Sequence, residues 1–268
     1  MNTRKSVLGA AVVMGALVAF AGLPAGTARA QTGINVPCSG PGGGAAGLAA
    51  AINAANAAGG GAISLAPACT YSLTAAGSSG PLGPNGLPVV TTRITIAGAH
   101  ATITRSSSQQ FRILEVDGPG GNLSASALAI TGGNASQPGG GVFNNAGTLT
   151  LNSSAVTGNT TSADAGGISN KAGTAVLNAS RVDHNTSGSG GGIASGPGGE
   201  NAPVTGSSLI LNGSRVDHNT AAEGGGEASG GGIANGGTAV LRGSSVDHNS
   251  APGGAGADRK STRLNSSH

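Results

Sequence analysis

The phrase Val-Asp-His-Asn occurs three times and decides how this chain folds: Val182-Asp183-His184-Asn185, Val216-Asp217-His218-Asn219 and Val246-Asp247-His248-Asn249. A degenerate copy, Val156-Thr157-Gly158-Asn159, lies upstream. The asparagines that end the four phrases are 26, 34 and 30 residues apart along the chain. Self-similarity with a period of about 20–50 residues is typical of stacked repeats, so the spacing predicts a solenoid.

Two further elements recur before each phrase. A short apolar run occupies residues 148–152, 175–178, 209–212 and 239–242, in which Leu149/Leu151 and Leu209/Leu211 alternate with polar or exposed positions. A glycine pair followed by Val or Ile begins at Gly140, Gly166, Gly191 and Gly231. Alternation with period two in such short segments indicates strands rather than helices. Three short strands in a coil of about 25 residues predict an all-β, parallel β-helix.

Stacking of the coils should place equivalent residues in columns about 4.8 Å apart. We expect two inward columns, Val156/Val182/Val216/Val246 and Leu151/Leu177/Leu211/Leu241. Asn159, Asn185, Asn219 and Asn249 should form a structural ladder at a bend, because asparagine tolerates left-handed backbone and its amide can bond the next rung. A second ladder is expected at Asn152, Asn178 and Asn212, broken at Arg242. The surplus in the 34-residue spacing should lie in residues 196–205.

This pattern resembles the repeat of the polymorphic outer-membrane proteins and of secreted bacterial right-handed β-helix proteins. Gly191-Gly192-Ile193 and Gly231-Gly232-Ile233 match the glycine element of that family. Its second element matches loosely, since valine stands where the family often has phenylalanine. The resemblance covers about residues 123–250, with weaker rungs back to about residue 88. It implies a right-handed solenoid and leaves function open, because such coils serve adhesins, passenger domains, lyases and spacers.

The two ends of the chain differ in composition from its body. Residues 1–30 read as a signal peptide, with Arg4 and Lys5 before an apolar run and an Ala28-Arg29-Ala30 cleavage site; an uncleaved anchor is the alternative. We predict no further membrane-spanning segment. The last residues, 258–268, resemble the in-frame translation of a sequencing adapter, in which case the natural frame is cut near Ala257. A genuine polar tail is the alternative.

Residues 31–87 are predicted to form an N-terminal cap, followed by β-helix coils over residues 88–257. The cap should contain the one convincing helix, an alanine-rich segment at residues 45–58 in which Leu48, Ile52 and Ala55 share a face. Cys38 and Cys69 are the two cysteines of the chain. In an exported protein such a pair most simply forms a disulfide, here closing a loop of about 30 residues.

The charge balance argues against nucleic acid as a partner. The whole chain carries +3. The body from Gln31 to Ala257 has seven Lys and Arg against nine Asp and Glu, which gives −2. Seven scattered cations do not form a basic stripe.

The repeated phrase also offers candidate chemistry. Asp183, Asp217 and Asp247 should stack in a column beside His184, His218 and His248, and carboxylates with imidazoles can bind divalent cations. The alternative, which we favour, is structural: Arg181 and Arg215 share the outer face and can pair with the aspartates of adjacent rungs as exposed ion pairs. We therefore predict no metal and no cofactor.

These observations favour a secreted or cell-surface β-helix that acts as a stalk, an adhesin or an interaction surface. We expect it to be a monomer with an extracellular or surface partner that the sequence does not identify. The alternative is a polysaccharide lyase or hydrolase, since many β-helices are enzymes. Such an enzyme would need clustered acids and aromatic sugar platforms. The mature body has thinly spread acids, no Trp, and only Tyr71, Phe111 and Phe143 as aromatic residues, which we assign to the core.

Overall fold

The computed structural model describes residues 33–80, 82–196, 206–222 and 230–252. The predicted signal peptide and the predicted adapter-derived tail lie outside these residues, so both stay predictions. Within them the chain is a parallel β-solenoid of about seven turns with one short helix near its N-terminus, which confirms the predicted fold class. The boundary between cap and coils at residue 87 also stays a prediction.

The N-terminal part contains the helix and the longest strands. In chain order its elements are β1 Ile34–Val36, α1 Gly44–Ala57, β2 Gly60–Leu65, β3 Thr70–Leu73, β4 Ser78–Gly80, β5 Gly83–Asn85, β6 Arg93–Arg105, β7 Leu114–Asp117 and β8 Asn122–Thr131. Strands β4 and β5 pair as an antiparallel hairpin, whereas the other strand pairs are parallel.

The repetitive part follows with shorter strands. These are β9 Asn134–Ala135, β10 Val142–Asn145, β11 Thr148–Asn152, β12 Ala155–Thr157, β13 Thr160–Thr161, β14 Ile168–Lys171, β15 Thr174–Asn178, β16 Arg181–Asp183, β17 Thr186–Ser187, β18 Ile193–Gly196, β19 Ser208–Asn212, β20 Arg215–Asp217, β21 Thr220–Ala221, β22 Ile233–Asn235, β23 Thr238–Arg242 and β24 Ser245–Asp247.

Each repetitive coil carries four strand lines, one more than the sequence predicted. Three of them run β7-β10-β14-β18-β22, β8-β11-β15-β19-β23 and β8-β12-β16-β20-β24. The additional line, β9-β13-β17-β21, consists of two-residue strands, of which the last three follow the ladder asparagines Asn159, Asn185 and Asn219. The surplus of the 34-residue coil lies between β18 and β19, and residues 197–205 of that connection are outside the described residues.

The inward columns lie in the predicted register. Val156, Val182, Val216 and Val246 are aligned on successive strands, and so are Leu151, Leu177, Leu211 and Leu241. In each column the first three residues have no exposed surface, while the last is partly buried. Alternation along β11 explains this arrangement, since Leu149 and Leu151 point inward and Thr150 between them does not. Burial of these columns supplies the main driving force for folding.

The helix α1 packs against the first strands, β1, β2, β3 and β6. Leu48, Ile52 and Ala55 are its buried face, as predicted from their spacing. The helix ends where the run of glycines begins, with Gly59 in the left-handed region at φ 78°. The predicted disulfide between Cys38 and Cys69 is confirmed, and its loop encloses α1.

Candidate functional site

The asparagines of the repeated phrase form a continuous ladder. Asn159, Asn185 and Asn219 are completely buried. The backbone N–H and the Nδ2 of Asn159 both donate to Oδ1 of Asn185 at 3.0 Å. Asn185 donates in the same two ways to Asn219, and Asn219 to Asn249, at 2.9 Å in every case. Because the Nδ2 of Asn185 also donates to the Val156 carbonyl at 2.9 Å, each amide joins coils on both sides.

The second predicted ladder is present at the outer face. The Nδ2 of Asn178 donates to Oδ1 of Asn152, and that of Asn212 to Oδ1 of Asn178, both at 2.8 Å. Arg242 lies opposite Asn212 in the next strand, where the series of asparagines ends.

Two more ladders were not predicted. Buried Asn144 donates through Nδ2 to Asn170 at 2.7 Å, and Asn170 donates to Oγ of Ser195 at 3.0 Å. A serine ladder at Ser154, Ser180, Ser214 and Ser244 joins each backbone N–H to the Oγ of the next coil at 3.0–3.1 Å. Both have a signal in the sequence. An Asn or Ser recurs three residues after the second glycine of each pair, and a Ser recurs two residues before the valine of each phrase.

The glycine pair and the ladder asparagine are in contact, which explains why they recur together. A Cβ on Gly192 would lie 2.8 Å from Cγ of Asn219, and one on Gly141 would lie 2.9 Å from Nδ2 of Asn159. Real Cβ atoms essentially never approach heavy atoms so closely. Hence the second glycine of each pair provides the space that the buried amide occupies.

The left-handed backbone at the bend falls one residue before its predicted position. His184, His218 and His248 have φ values of 54°, 54° and 53°, and Gly158 of the degenerate phrase has 63°. The prediction placed this conformation on the asparagines and was wrong. The residue before the asparagine makes the turn, so the amide can point into the solenoid while the imidazole points out.

The aspartates of the phrase form a column that is more buried than predicted. Asp183, Asp217 and Asp247 are aligned on β16, β20 and β24. Asp183 and Asp217 are only 2% and 6% exposed, so the expectation of exposed ion pairs was wrong for these two carboxylates. Their burial follows from the side chains over them, because each carboxylate is hydrogen-bonded to a histidine and lies within ion-pair distance of an arginine.

The arginines pair chiefly within their own rung rather than with adjacent rungs. The Nε of Arg181 is 3.3 Å from Oδ1 of Asp183, and the Nε of Arg215 is 3.1 Å from Oδ2 of Asp217. One contact joins adjacent rungs, from a terminal nitrogen of Arg215 to Oδ1 of Asp247 at 3.3 Å. The guanidinium groups therefore remain half exposed above the aspartates.

The three histidines stack in register along the outside of the solenoid. Their ring centroids are 5.2 Å apart between His184 and His218, and 5.1 Å apart between His218 and His248. Their planes differ by only 5° and 4°. The Nδ1 of each ring lies 2.9, 2.9 and 3.1 Å from the aspartate that precedes it. The hydrogen bond from His248 holds the pKa of Asp247 below its ordinary value. We call His184, His218 and His248 with Arg181 and Arg215 the histidine ridge.

A buried ion pair in the N-terminal coils was missed from the sequence. Arg112 and Glu115 are fully buried, with a guanidinium nitrogen 2.9 Å from Oε2 of the carboxylate. The same nitrogen donates to Oδ1 of Asn85, and another donates to the Leu82 carbonyl. Arg112 also lies over the Phe143 ring, 5.0 Å from its centroid. Burial raises the pKa of Glu115 and lowers that of Arg112.

This pair is covered by the β4–β5 hairpin. A Cβ on Gly80 would overlap the carboxylate of Glu115, so the glycine is what allows the hairpin to close over it. Two charges three residues apart inside the apolar segment 111–116 were the signal for this pair.

A shallow groove of about 290 Å³ lies over the short fourth strand line. Its lining includes Asn134, Thr160, Thr186, Ser187 and Gly188, and it contains no titratable side chain. The groove therefore offers hydroxyl and amide contacts without groups for acid–base catalysis.

In the described ranges, no group of three or more His, Cys, Asp or Glu side chains is arranged to hold a metal ion. None of the helices in that part of the chain has the length and hydrophobicity needed to cross a membrane.

Comparison with family models, curated proteins and solved structures finds no match to this chain. The likeness to the polymorphic outer-membrane-protein repeat therefore rests on the motifs alone.

Proposed function

We propose that this chain is a secreted or cell-surface β-helix protein that presents an interaction surface, as an adhesin or a stalk does, without catalysing a reaction. The observation that carries this proposal is repetition on the outside of the solenoid. Two successive coils present Arg-x-Asp-His in register and the third presents Ser-x-Asp-His, whereas a scaffold alone would need repetition only inside. A surface that repeats along an axis suits many equal contacts with an extended partner.

Export is supported by the disulfide. Bonds of this kind form and persist in oxidising compartments outside the cytosol. Cys38 and Cys69 are joined in the structure, and the sequence predicts a signal peptide before them.

A binding role is favoured over a lyase or hydrolase by the state of Asp183, Asp217 and Glu115. Asp183 and Asp217 are buried beneath the arginine and histidine side chains that pair with them, so they are not accessible to a substrate. Glu115 is enclosed beneath a hairpin. Tyr71, Phe111 and Phe143 have no exposed surface with which to stack on a sugar.

The test combines localisation with an activity assay. The full chain is expressed with its N-terminus intact, and cells are fractionated and treated with an external protease. We expect the protein in the medium or accessible on the surface, with Cys38 and Cys69 oxidised. We also expect no release of reducing ends or unsaturated sugars from a panel of polysaccharides. Retention in the cytosol with free thiols, or steady product release, would overturn the proposal.

A further inference from the structure

We propose that the C-terminal rung of the solenoid is a docking site for a further coil of the same repeat, supplied by a different polypeptide. The C-terminal rung consists of strands β22, β23 and β24, each of which ends its strand line within the described residues. This surface lies at the end of the solenoid, whereas the histidine ridge lies along its outside. Docking at the end therefore adds to the function proposed above and does not depend on what the outside binds.

The apolar core is open at the C-terminal rung. Ile233, Leu241 and Val246 are only partly buried. Their counterparts one coil earlier lie in register with them and have no exposed surface. A further coil stacked on this rung would bury the three side chains in the same way, and removal of apolar surface from water favours such stacking.

The N-terminal end of the solenoid is closed instead. Helix α1 packs against β1, β2, β3 and β6 and buries Leu48 and Ile52. Val36, Ile63 and Leu65 of the first strands are at most 4% exposed. Terminal repeats of solenoids need a cover of this kind. The two ends therefore differ, and only the C-terminal rung offers an open surface for docking.

The edge strands of the C-terminal rung lack the usual protection against pairing. Natural sheets blunt exposed edges with proline, with inward-pointing charges or with a covering element. Strands β22, β23 and β24 contain no proline. Arg242 and Asp247 are their charged residues, and both follow columns on the outer face of the solenoid. The edge is therefore suited to continued parallel pairing.

Two ladders give the chemistry of the coil that fits. In each of them a backbone N–H donates to a side-chain oxygen of the following coil. Asn219 donates to Oδ1 of Asn249 at 2.9 Å, and Ser214 donates to Oγ of Ser244 at 3.0 Å. In the described part of the chain, the N–H groups of Asn249 and Ser244 have no such acceptor. The docked coil must therefore supply an asparagine Oδ1 and a serine Oγ in the register of the ladders.

The spacing of these groups defines the partner. The pattern Leu-x-x-Ser-x-Val-x-x-Asn recurs in four coils, beginning at Leu151, Leu177, Leu211 and Leu241. Its leucine and valine cover the core, and its serine and asparagine supply the two acceptors. Main-chain hydrogen bonds add to these contacts when an extended segment joins a sheet edge. The partner is thus a repeat polypeptide that has this pattern in a first coil left uncovered.

A second copy of this chain is the less suitable occupant. Head-to-tail stacking is blocked, because α1 covers the first strands of the second copy. In a pair joined by their C-terminal ends, related by a twofold axis, the same surface of each copy faces the other. Both copies then present the N–H groups of Asn249 and Ser244, and neither supplies the acceptors that the ladders require.

The experiment titrates the full chain into a fluorescently labelled peptide of residues 174–187 and measures anisotropy. This peptide contains one copy of the pattern, from Leu177 to Asn185. We expect saturable binding. The matched peptide Ser180→Ala/Asn185→Ala has the same length, charge and apolar residues but lacks both acceptors. It should bind about tenfold more weakly, as expected for the loss of two hydrogen bonds.

Two variants of the protein locate the site. Val246→Lys places a charge on the C-terminal rung and should abolish binding. Ala50→Lys is the control, since Ala50 is exposed on α1 at the opposite end, and it should bind as the parent does. Melting temperatures report whether the variants fold. The peptide pair leaves the protein unchanged, so it tests the acceptors even where Val246→Lys lowers the stability of the last coil.

Three results would overturn the inference: no binding of the parent peptide, equal binding of the two peptides, or unchanged binding in Val246→Lys. Sedimentation velocity of the chain alone supplies a fourth. If the chain forms dimers that Val246→Lys dissociates, a second copy occupies the rung instead of a different repeat polypeptide. None of these outcomes bears on export or on catalysis, which the fractionation and activity assays test separately.

Discussion

Asn185 and Asn219 are joined by two hydrogen bonds to a single atom. The backbone N–H and the side-chain Nδ2 of Asn185 both donate to Oδ1 of Asn219 at 2.9 Å. The side chain of one coil thus satisfies the backbone of its neighbour where the strands are interrupted. In a chain that turns every few residues, such contacts replace the strand hydrogen bonds that the bends cannot form.

Asn219→Ala should destabilise the protein by about 1–3 kcal/mol, because it leaves the buried N–H of Asn185 without an acceptor. The free energy of unfolding can be measured by denaturant titration. Asn212→Ala is the matched control, since Asn212 is only partly buried and its side chain bonds one neighbouring amide. We expect a loss below about 1 kcal/mol there. Equal losses in the two variants would contradict the structural role of the inner ladder.

Gly192→Ala should also destabilise, by about 1–3 kcal/mol, because overpacking forces the neighbours to move. Its Cβ would lie 2.7 Å from the Gly232 carbonyl oxygen and 2.8 Å from Cγ of Asn219. Gly213→Ala is the control: a Cβ there meets nothing within 4 Å, and Ala179 already adopts the equivalent conformation one coil earlier. That change should cost about 1 kcal/mol or less. Thermal melts of both variants compare them directly.

The repeated phrase predicted most of the fold because equivalent residues of successive coils lie side by side in a solenoid. The spacing of the phrases therefore gives the register of the strands. For example, the spacing of their phrases places Val182 and Val216 at equivalent positions of successive coils, and they do share a strand line. The fourth strand line was missed because two residues such as Thr160–Thr161 carry no periodicity. The left-handed residue was misplaced because asparagine both tolerates a positive φ and can bury its amide in a ladder. In the structure the asparagine buries its amide, and the residue before it adopts the positive φ.

The burial of the candidate site was harder to predict than its alignment. Asp183 is a charged residue in an outward position, and its burial depends on the imidazole and guanidinium groups that fold over it. The Arg112–Glu115 pair lies where the repeat is irregular and is covered by a hairpin from residues 78–85. The repeat period and the alternation of apolar residues do not show which side chains or hairpins lie over a charged residue.

Removal of the disulfide should lower stability by about 3–4 kcal/mol, as expected for a loop of this length. Cys38 and Cys69 are 31 residues apart and enclose the helix α1. The variant Cys38→Ser/Cys69→Ser and the reduced parent should therefore unfold at the same, lower denaturant concentration. Titration of the denatured, unreduced parent should find no free thiol. Two free thiols in exported protein would contradict both the pairing and the argument for export.

Arg112→Met should destabilise by about 3–5 kcal/mol at neutral pH, because Glu115 would be left as a buried charge without a partner. Burial already raises the pKa of Glu115, and loss of the guanidinium should raise it further. A carboxyl whose pKa is raised by folding contributes stability below its unfolded-state pKa, and loses that contribution as pH rises through the folded-state value. Part of the loss in Arg112→Met should therefore be recovered as the pH is lowered toward about 4.

The double variant Arg112→Met/Glu115→Gln separates charge from packing. It has the same methionine under the β4–β5 hairpin, but its residue 115 cannot ionise. Its free energy of unfolding should therefore not approach that of the parent on acidification, as that of Arg112→Met should. At neutral pH it should be more stable than the single variant, because replacing both charges removes the unpaired carboxylate. Denaturant titrations of the three proteins at several pH values provide the measurement. If the two variants follow the same pH curve, Glu115 does not carry the buried charge that the structure assigns to it.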